Sequence, residues 1–246
     1  MATAGELISI IRTDYLDDNP EVAVGTPAGD IPYLWKDAFL YRALSEAQKQ
    51  ACKRMHLIYD DTSAATSITL VNNTHTYTLD ASITKVEAVR FNGKAVVHKS
   101  RTELDEQDPE WRTYQGMIDN ECRYAVRGHK IRFSPYPDAT DAALPVTLEV
   151  FRLPTAVLDD AADVPEIDVQ YHFPLIYWVL YEAYRKADAD TRDLELSQLY
   201  LGQFVEVFGP EISAEVRLHV LESPKTLRLY PRPRLAQMFV EADDGW

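Results

Sequence analysis

The chain has 246 residues, 46% of them apolar and 26% charged, a composition typical of globular rather than disordered proteins. Nine glycines and two cysteines exclude a collagen-like or disulfide-stapled architecture, and a chain of this length can bury a core without such links. The net charge of −14 opposes general binding to phosphate backbones, which requires clustered basic residues.

The first predicted element is a short amphipathic helix that ends near Asp18. Thr3 and Glu6 have the spacing of a capping box. Three apolar residues then recur at four-residue spacing on one helical face: Leu7, Ile11 and Tyr15. Residues 19–30 contain two prolines and two glycines, so we expect an exposed loop there.

Residues 33–59 carry a sustained helical stripe of apolar side chains and predict one long helix. Its polar side is basic, because only Asp37 and Glu46 oppose five cationic side chains: Lys36, Arg42, Lys49, Lys53 and Arg54. Two interpretations remain open. These residues form either a solvated face or a contact with an acidic neighbouring subunit.

Residues 63–154 alternate β-branched or aromatic residues with polar ones and predict a β module. Asn92-Gly93 is a type I′ hairpin signal between residues 86–91 and 94–98. A second hairpin is predicted at residues 122–133, and a last strand at residues 146–151. Six or seven short strands, with a short helix near residues 102–111, indicate a small sandwich or barrel-like module.

Helical periodicity returns after Pro165. One helix is predicted to run through residues 173–188 with Pro174 in its first turn, and its apolar face holds Phe173, Tyr177, Leu180, Tyr184 and Ala187. A second helix covers residues 191–208 and ends before Gly209-Pro210, with Leu196, Tyr200, Phe204 and Val207 on one face.

We therefore predict an α+β fold in which a discontinuous helical bundle of about four helices carries an inserted antiparallel β module. The helical domain comprises residues 1–62 and 164–212, and the β module comprises residues 63–163. Residues 213–246 form a C-terminal docking tail. Its residues 224–234 hold four basic side chains, three prolines and no acid, so we expect them to be extended and to order against another surface.

Enzyme signatures are missing from the sequence. It contains no phosphate-binding G-x-x-x-x-G-K-[ST] loop, dinucleotide fingerprint, G-x-S-x-G elbow or H-E-x-x-H motif. Cys52 and Cys122 have no C-x-x-C partner, and the six histidines never fall at metal-ligand spacing. Adjacent acids, such as Asp60-Asp61 and Asp159-Asp160, are interpreted as turns and caps. We expect no catalytic residue, cofactor or metal.

No apolar run approaches the ~20 residues that a membrane-spanning helix needs, and the N-terminus lacks the apolar core of a signal peptide. We therefore expect a soluble protein in a reducing cytosol, without a membrane partner.

Several segments, taken in their order and spacing, resemble the head-to-tail adaptor (connector) proteins of tailed bacteriophages, which form a ring under the portal. The resemblance covers about residues 31–210. The matching features are Trp35 before the long helix, Tyr77 and Leu79, the segment 131–137, Phe151-Arg152-Leu153-Pro154, Val164-Pro165-Glu166-Ile167, Tyr171-His172, Leu175, Trp178, Ala183-Tyr184, Asp188, Asp190, Phe204 and Phe208-Gly209.

This resemblance implies a structural virion protein rather than an enzyme, located in the neck of the particle and in the host cytoplasm during assembly. It implies a ring of twelve copies that docks to the portal protein, meets a tail or nozzle protein below, and lets DNA pass through a channel without specific binding. Portal contacts are predicted in the tail at Leu227, Arg228, Leu229, Tyr230, Arg232 and Arg234. Ring contacts are predicted at Lys36, Arg42, Lys49, Lys53 and Arg54.

Two other function classes are alternatives to the adaptor. A stand-alone binding module would use exposed Trp111, Tyr114 and Tyr136 on the β module to contact a carbohydrate or protein. A phage-encoded hydrolase would need an acidic pair with shifted pKa values, converging in a cleft between the two modules.

Overall fold

The structure, a computed structural model, describes residues 1–18, 33–116, 122–186, 192–213 and 216. These residues form five α-helices and nine β-strands in two sheets, which confirms the α+β class. The expected loop at residues 19–30 and nearly all of the predicted tail lie outside the described residues.

The chain begins with helix α1 (Ala4–Ile10), which continues as one π-helical segment, Ile11–Leu16. The predicted capping box is confirmed. The backbone N–H of Glu6 donates to Thr3 Oγ1 at 3.2 Å, and the backbone N–H of Thr3 donates to Glu6 Oε2 at 2.9 Å. These bonds satisfy two of the N–H groups that a helix start leaves without a partner.

The long helix α2 spans Asp37–Met55, so it is shorter at both ends than the predicted residues 33–59. His56 adopts the left-handed conformation with φ 52°, which ends the helix. The next residues form strand β1 (Ile58–Asp60), in which Ile58 and Asp60 are buried and Tyr59 is exposed. This alternation of buried and exposed side chains is typical of a strand, although Ile58 also fits the apolar stripe of the predicted helix.

Arg12 ties the N-terminal helix to the start of α2. Its Nη2 donates to the carbonyl of Trp35 at 2.6 Å and to Asp37 Oδ1 at 2.6 Å, and its Nη1 pairs with Asp18. Asp18 also accepts the backbone N–H groups of Leu34 and Trp35. The two chain segments that flank residues 19–32 are therefore fixed to each other.

Helix α4 (Leu175–Arg185) begins directly after Pro174, two residues later than predicted, and its buried face differs from the expected one. Phe173 precedes the helix and is exposed, whereas four aliphatic residues fill the core: Leu175, Ile176, Val179 and Leu180. Aromatic residues such as Tyr177 flank this face and are half-buried.

Helix α5 (Leu194–Phe208) is capped by Asp193, whose carboxylate accepts the N–H groups of Glu195 and Leu196 at 3.0 Å each. Phe204 is buried as predicted. Val207 is exposed, however, and Phe208 takes the core position beside Phe204.

The β module consists of two sheets. The first has the order β1-β9-β4-β5, with β2 also paired to β9, and the second has the order β3-β8-β7-β6. The remaining strands are β2 (Ser67–Thr69), β3 (Thr76–Thr78), β4 (Ile83–Phe91), β5 (Lys94–Ala95), β6 (Val97–His98), β7 (Arg123–Arg127), β8 (Lys130–Ser134) and β9 (Pro145–Arg152). All pairs are antiparallel except β6 with β7.

Both predicted hairpins form. Asn92 and Gly93 have φ of 47° and 75°, the two positive values that a type I′ turn requires, and they join β4 to β5. Gly128, with φ 54°, joins β7 to β8. The predicted strand at residues 94–98 is divided, because the chain leaves the first sheet after Ala95 and enters the second at Val97.

Side chains from both sheets share one buried cluster, so the module is a two-layer sandwich rather than a closed barrel. A short helix, α3 (Arg101–Gln107), adds Leu104 to a small cluster with Trp111 and Ala125. A separate cluster combines α1, α2, α4 and α5 with residues from the connection after β9, including Leu158 and Ile167. The domain boundaries proposed from the sequence remain predictions.

Candidate assembly surfaces

The predicted ring-contact residues all lie on or just before α2, but they do not share one surface. Lys36 and Arg42 are exposed, and Lys49 and Lys53 are half-buried. Lys53 Nζ lies 3.8 Å from Glu46 Oε1 on the same helix. The Arg42 guanidinium lies 5.6 Å from the centre of the Phe39 ring. Four of the five cations are thus accessible to a partner.

Arg54 is different, because it is only 7% exposed. Its Nη1 donates to the carbonyl oxygen of Gly209 at 2.8 Å, at the C-terminal end of α5. The guanidinium also lies 5.1 Å from the Phe204 ring and 5.8 Å from the Trp178 ring. A cation at a helix C-terminus stabilises the exposed carbonyls there. Arg54 therefore stabilises the end of α5 within the chain and, unlike the other four cations, is not accessible to a neighbouring subunit.

A groove runs along the first two-thirds of α2, with a volume of about 610 Å³, and we call it the α2–α4 groove. Three aromatic side chains line it: Phe39, Tyr41 and Trp178. Four carboxylates also line it, from Asp37, Glu46, Asp159 and Glu182, against the two cations Arg42 and Lys49. Val157, which is 58% exposed, completes its apolar part. The groove combines aromatic surface with an acidic excess.

Sequence reasoning missed this groove because its walls come from distant segments. Residues 157–159 approach α2 only after the whole β module has been traversed. Ser45 fixes them there, since its Oγ donates to the Leu158 carbonyl at 3.1 Å and accepts the Leu158 N–H at 2.7 Å. Ser45 lies off the apolar stripe that Leu40, Leu44, Ala47 and Ala51 form on the predicted helix, so the local pattern gives no signal of this contact.

Helix α5 provides a second surface of different character. Of its side chains, only Ser197, Phe204 and Phe208 are buried. Leu194, Leu199 and Val207 are exposed by 49%, 54% and 36%. A helix with exposed leucines and few charges favours contact with another protein.

The junction between the two modules is where the hydrolase interpretation requires converging carboxylates. Asp60 and Glu166 meet there, but Arg152 binds both, through Nε and Nη2 respectively, each at 2.5 Å. Burial raises the pKa of each acid, but hydrogen bonds from Arg152 and from backbone N–H groups outweigh it, so both pKa values lie below the ordinary range. A general acid needs the opposite shift.

The other acidic sequences also have structural roles. Asp60 accepts the N–H groups of Thr62 and Ser63, and Asp163 accepts those of Asp159 and Asp160. Within the described residues, no group of three or more His, Cys, Asp or Glu side chains is arranged to hold a metal ion. Cys52 and Cys122 are both buried, and no disulfide joins them.

The aromatic contact of the binding-module interpretation does not form as expected. Trp111 is only 1% exposed, and its indole Nε1 donates to Asp105 Oδ1 at 2.7 Å. The guanidinium groups of Arg112 and Arg132 each lie 5.0 Å from its ring. Tyr114 is exposed, whereas Tyr136 is half-buried and packs edge-to-face on His75.

The predicted portal-contact residues of the tail lie outside the described residues. None of the helices that the structure describes combines the length and the apolar character needed to cross a membrane.

Comparison with known proteins gives one family. No curated protein sequence matches the chain. A family model described as SU10 adaptor protein matches residues 2–218, which include both helical segments and the whole sandwich. The match agrees with the resemblance to phage head-to-tail adaptors. The chain therefore belongs to the SU10 adaptor protein family and is a structural phage adaptor.

Proposed function

We propose that this chain is one subunit of a ring that joins the portal of a tailed bacteriophage to its tail. Membership of the adaptor family carries this proposal. Twelve copies, as implied by the resemblance, surround a central channel in the neck of the virion. The subunits are made in the host cytoplasm and assemble onto the portal there.

A closed ring needs two unlike surfaces on each subunit, because neighbours contact each other head to tail. The helical layer offers two such surfaces. One is the exposed side of α2 with Lys36, Arg42, Lys49 and Lys53, and the other is the apolar face of α5. In our proposal the cations of α2 face acidic side chains of a neighbour, which the net charge of −14 supplies in excess.

The tail makes the portal contact. Residues 224–234 combine four cations with the apolar side chains Leu227, Leu229 and Tyr230, so they supply both steering charge and buried area. Many weak tails that act together around one ring produce strong attachment. The cations proposed for this contact are Arg228, Arg232 and Arg234.

The acidic surplus suits a channel wall, because DNA that passes through should not bind to it. The opposite side of the ring meets a tail or nozzle protein.

The portal contact is tested by co-sedimentation of the full-length chain with assembled portal rings. We expect Arg228→Ala/Arg232→Ala to weaken attachment by about tenfold or more. The matched control is Arg127→Ala/Lys130→Ala, which removes two exposed charges from the β7–β8 hairpin and should leave attachment unchanged. Equal attachment of both variants would reject the tail as the docking segment.

A further inference from the structure

We propose that, before the subunit meets the portal, the α2–α4 groove holds residues 229–234 of the tail of the same chain. The inference rests on the proposed function, because the held residues include those assigned to the portal contact. It adds a stored state in which the free subunit covers its own docking segment.

The chemistry of the groove suits this segment. Residues 229–234 read Leu-Tyr-Pro-Arg-Pro-Arg, and closely spaced prolines favour the extended polyproline II conformation. Such segments are recognised by grooves in which aromatic side chains pack against the prolines. Phe39, Tyr41 and Trp178 provide the aromatic surface here.

The lengths also agree. From Asp37 to Lys49 the groove follows thirteen residues of α2, whose twelve steps of 1.5 Å span about 18 Å. Six residues of polyproline II helix extend about 19 Å at 3.1 Å per residue.

The charges are complementary. Four carboxylates and two cations line the groove, whereas residues 224–234 carry four cations and no acid. Asp37, Glu46 and Glu182 each have a cationic neighbour in the chain. Within the part of the chain that the structure describes, the carboxylate of Asp159 forms no ion pair. Arg232 or Arg234 would supply a cation for this carboxylate.

The last continuous described segment, residues 192–213, ends close to α2, which favours the tail of the same subunit. Glu211 and Ile212 lie against Gln50, Lys53 and Arg54, on the last turns of the same helix α2. Lys49, at the near end of the groove, directly precedes Gln50. The 12 residues from 217 to 228 can extend up to about 40 Å. A tether of this length keeps the segment at roughly millimolar effective concentration, above that of a neighbouring tail in dilute solution.

Storage has a consequence for assembly. A groove that binds Tyr230, Arg232 and Arg234 competes with the portal for the same side chains. The tail therefore leaves the groove only when the portal ring binds it more tightly than the groove does. Until then, the groove prevents the tail of the free subunit from making premature contacts.

Limited trypsin digestion of the full-length chain tests the proposal through cleavage of the Arg234–Leu235 bond. Cleavage of a segment that opens transiently follows the population of the open form. We expect this bond to be cut about tenfold faster in Glu46→Gln/Asp159→Asn than in the unsubstituted chain. The matched control is Glu106→Gln/Glu206→Gln, which removes two exposed acids outside the groove and should cleave at the original rate.

Equal rates in both variants and the unsubstituted chain would overturn the proposal. Urea midpoints of the two variants show whether the fold is intact, so faster cleavage caused by global unfolding would count against it. If the Arg234–Leu235 bond is equally protected from trypsin at protein concentrations from about 0.5 to 20 µM, the result supports storage within one chain. Protection that rises with concentration would contradict it and assign the groove to the tail of another copy. Co-sedimentation with portal rings is scored separately, so loss of the portal contact and loss of storage are distinguishable.

Discussion

Arg152 Nη2 lies 2.5 Å from Glu166 Oε1, and the same guanidinium contacts Asp60 through Nε. Glu166 in turn accepts the backbone N–H of Thr155 at 3.0 Å, and its own N–H donates to Gln48 on α2. This network joins the last strand of the sandwich to the helical layer. It fixes the connection that forms one wall of the α2–α4 groove.

Replacement of Arg152 by Met should destabilise the fold by about 3 kcal/mol, because it leaves the buried carboxylate of Asp60 without its cation and also breaks the pair with the more exposed Glu166. Urea unfolding measures the loss. Arg90→Met is the control, since it breaks the pair with Glu149 on the exposed side of the sandwich and should cost much less. Equal losses would show that the junction pair contributes no more than a surface pair.

Arg54 and Lys53 are neighbours with different expected roles. Arg54→Met removes the donor to the Gly209 carbonyl and should cost about 2 kcal/mol in urea unfolding. Lys53→Met changes a half-exposed side chain and should alter stability by less than about 0.5 kcal/mol. In our proposal Lys53→Met instead weakens ring formation on the portal. A stability loss that is larger for Lys53 than for Arg54 would contradict these assignments.

Two helical glycines should respond in opposite directions to alanine. A Cβ at position 5 would lie 2.8 Å from Ala161 Cβ and 3.0 Å from the Ala161 carbonyl oxygen, so Gly5→Ala should destabilise by about 1–3 kcal/mol. A Cβ at position 202 meets nothing within 4 Å, so Gly202→Ala should stabilise α5 by up to about 1 kcal/mol. Thermal unfolding of both variants measures these two changes in stability. A tolerated Gly5→Ala would mean that α1 does not pack closely on the connection at residue 161.

The stability of the fold should fall in mild acid because of His56. Burial and, after it, the charge of Lys85 lower the pKa of this imidazole below its ordinary value of 6.5, while Glu87 opposes the shift. A lowered folded-state pKa means that the unfolded chain takes up the proton first. The contribution is complete above about pH 6.5 and is lost as the pH falls towards the folded-state pKa.

His56→Asn removes this titration while it keeps a residue that tolerates positive φ. The urea midpoint of the original chain should therefore drop more between about pH 7.5 and 5 than that of the variant. An identical drop in both proteins would exclude His56 as the titrating group.

Local signals in the sequence predicted the parts of the fold that local chemistry decides. Thr3 and Glu6 cap α1, and Asn92-Gly93 forms the turn that connects β4 to β5. Both features depend only on side chains and φ values within a few neighbouring residues. The helix predicted at residues 33–59 is longer than the observed α2, since Ile58 suits a helical stripe and a strand equally until its partner Arg152 is known. Arg152 lies 94 residues further along the chain, and no periodic pattern in the sequence links it to Ile58.

The candidate surfaces depended on tertiary contacts even more. Arg54 looks like any basic residue on the polar side of a helix, and only the position of Gly209, 155 residues away, turns it inward. Trp111 was expected at the surface in the binding-module interpretation, but α3 and two arginines cover it. The four remaining cations of α2 and the tail residues stay predictions.

The most direct test of the account is cryo-electron microscopy of virions that contain this chain, with the symmetry searched rather than imposed. We predict a ring of this fold between portal and tail, with α2 of one subunit facing its neighbour and with residues 224–234 in contact with the portal. Density for the chain elsewhere in the particle, or a neck ring whose tails do not reach the portal, would contradict the account.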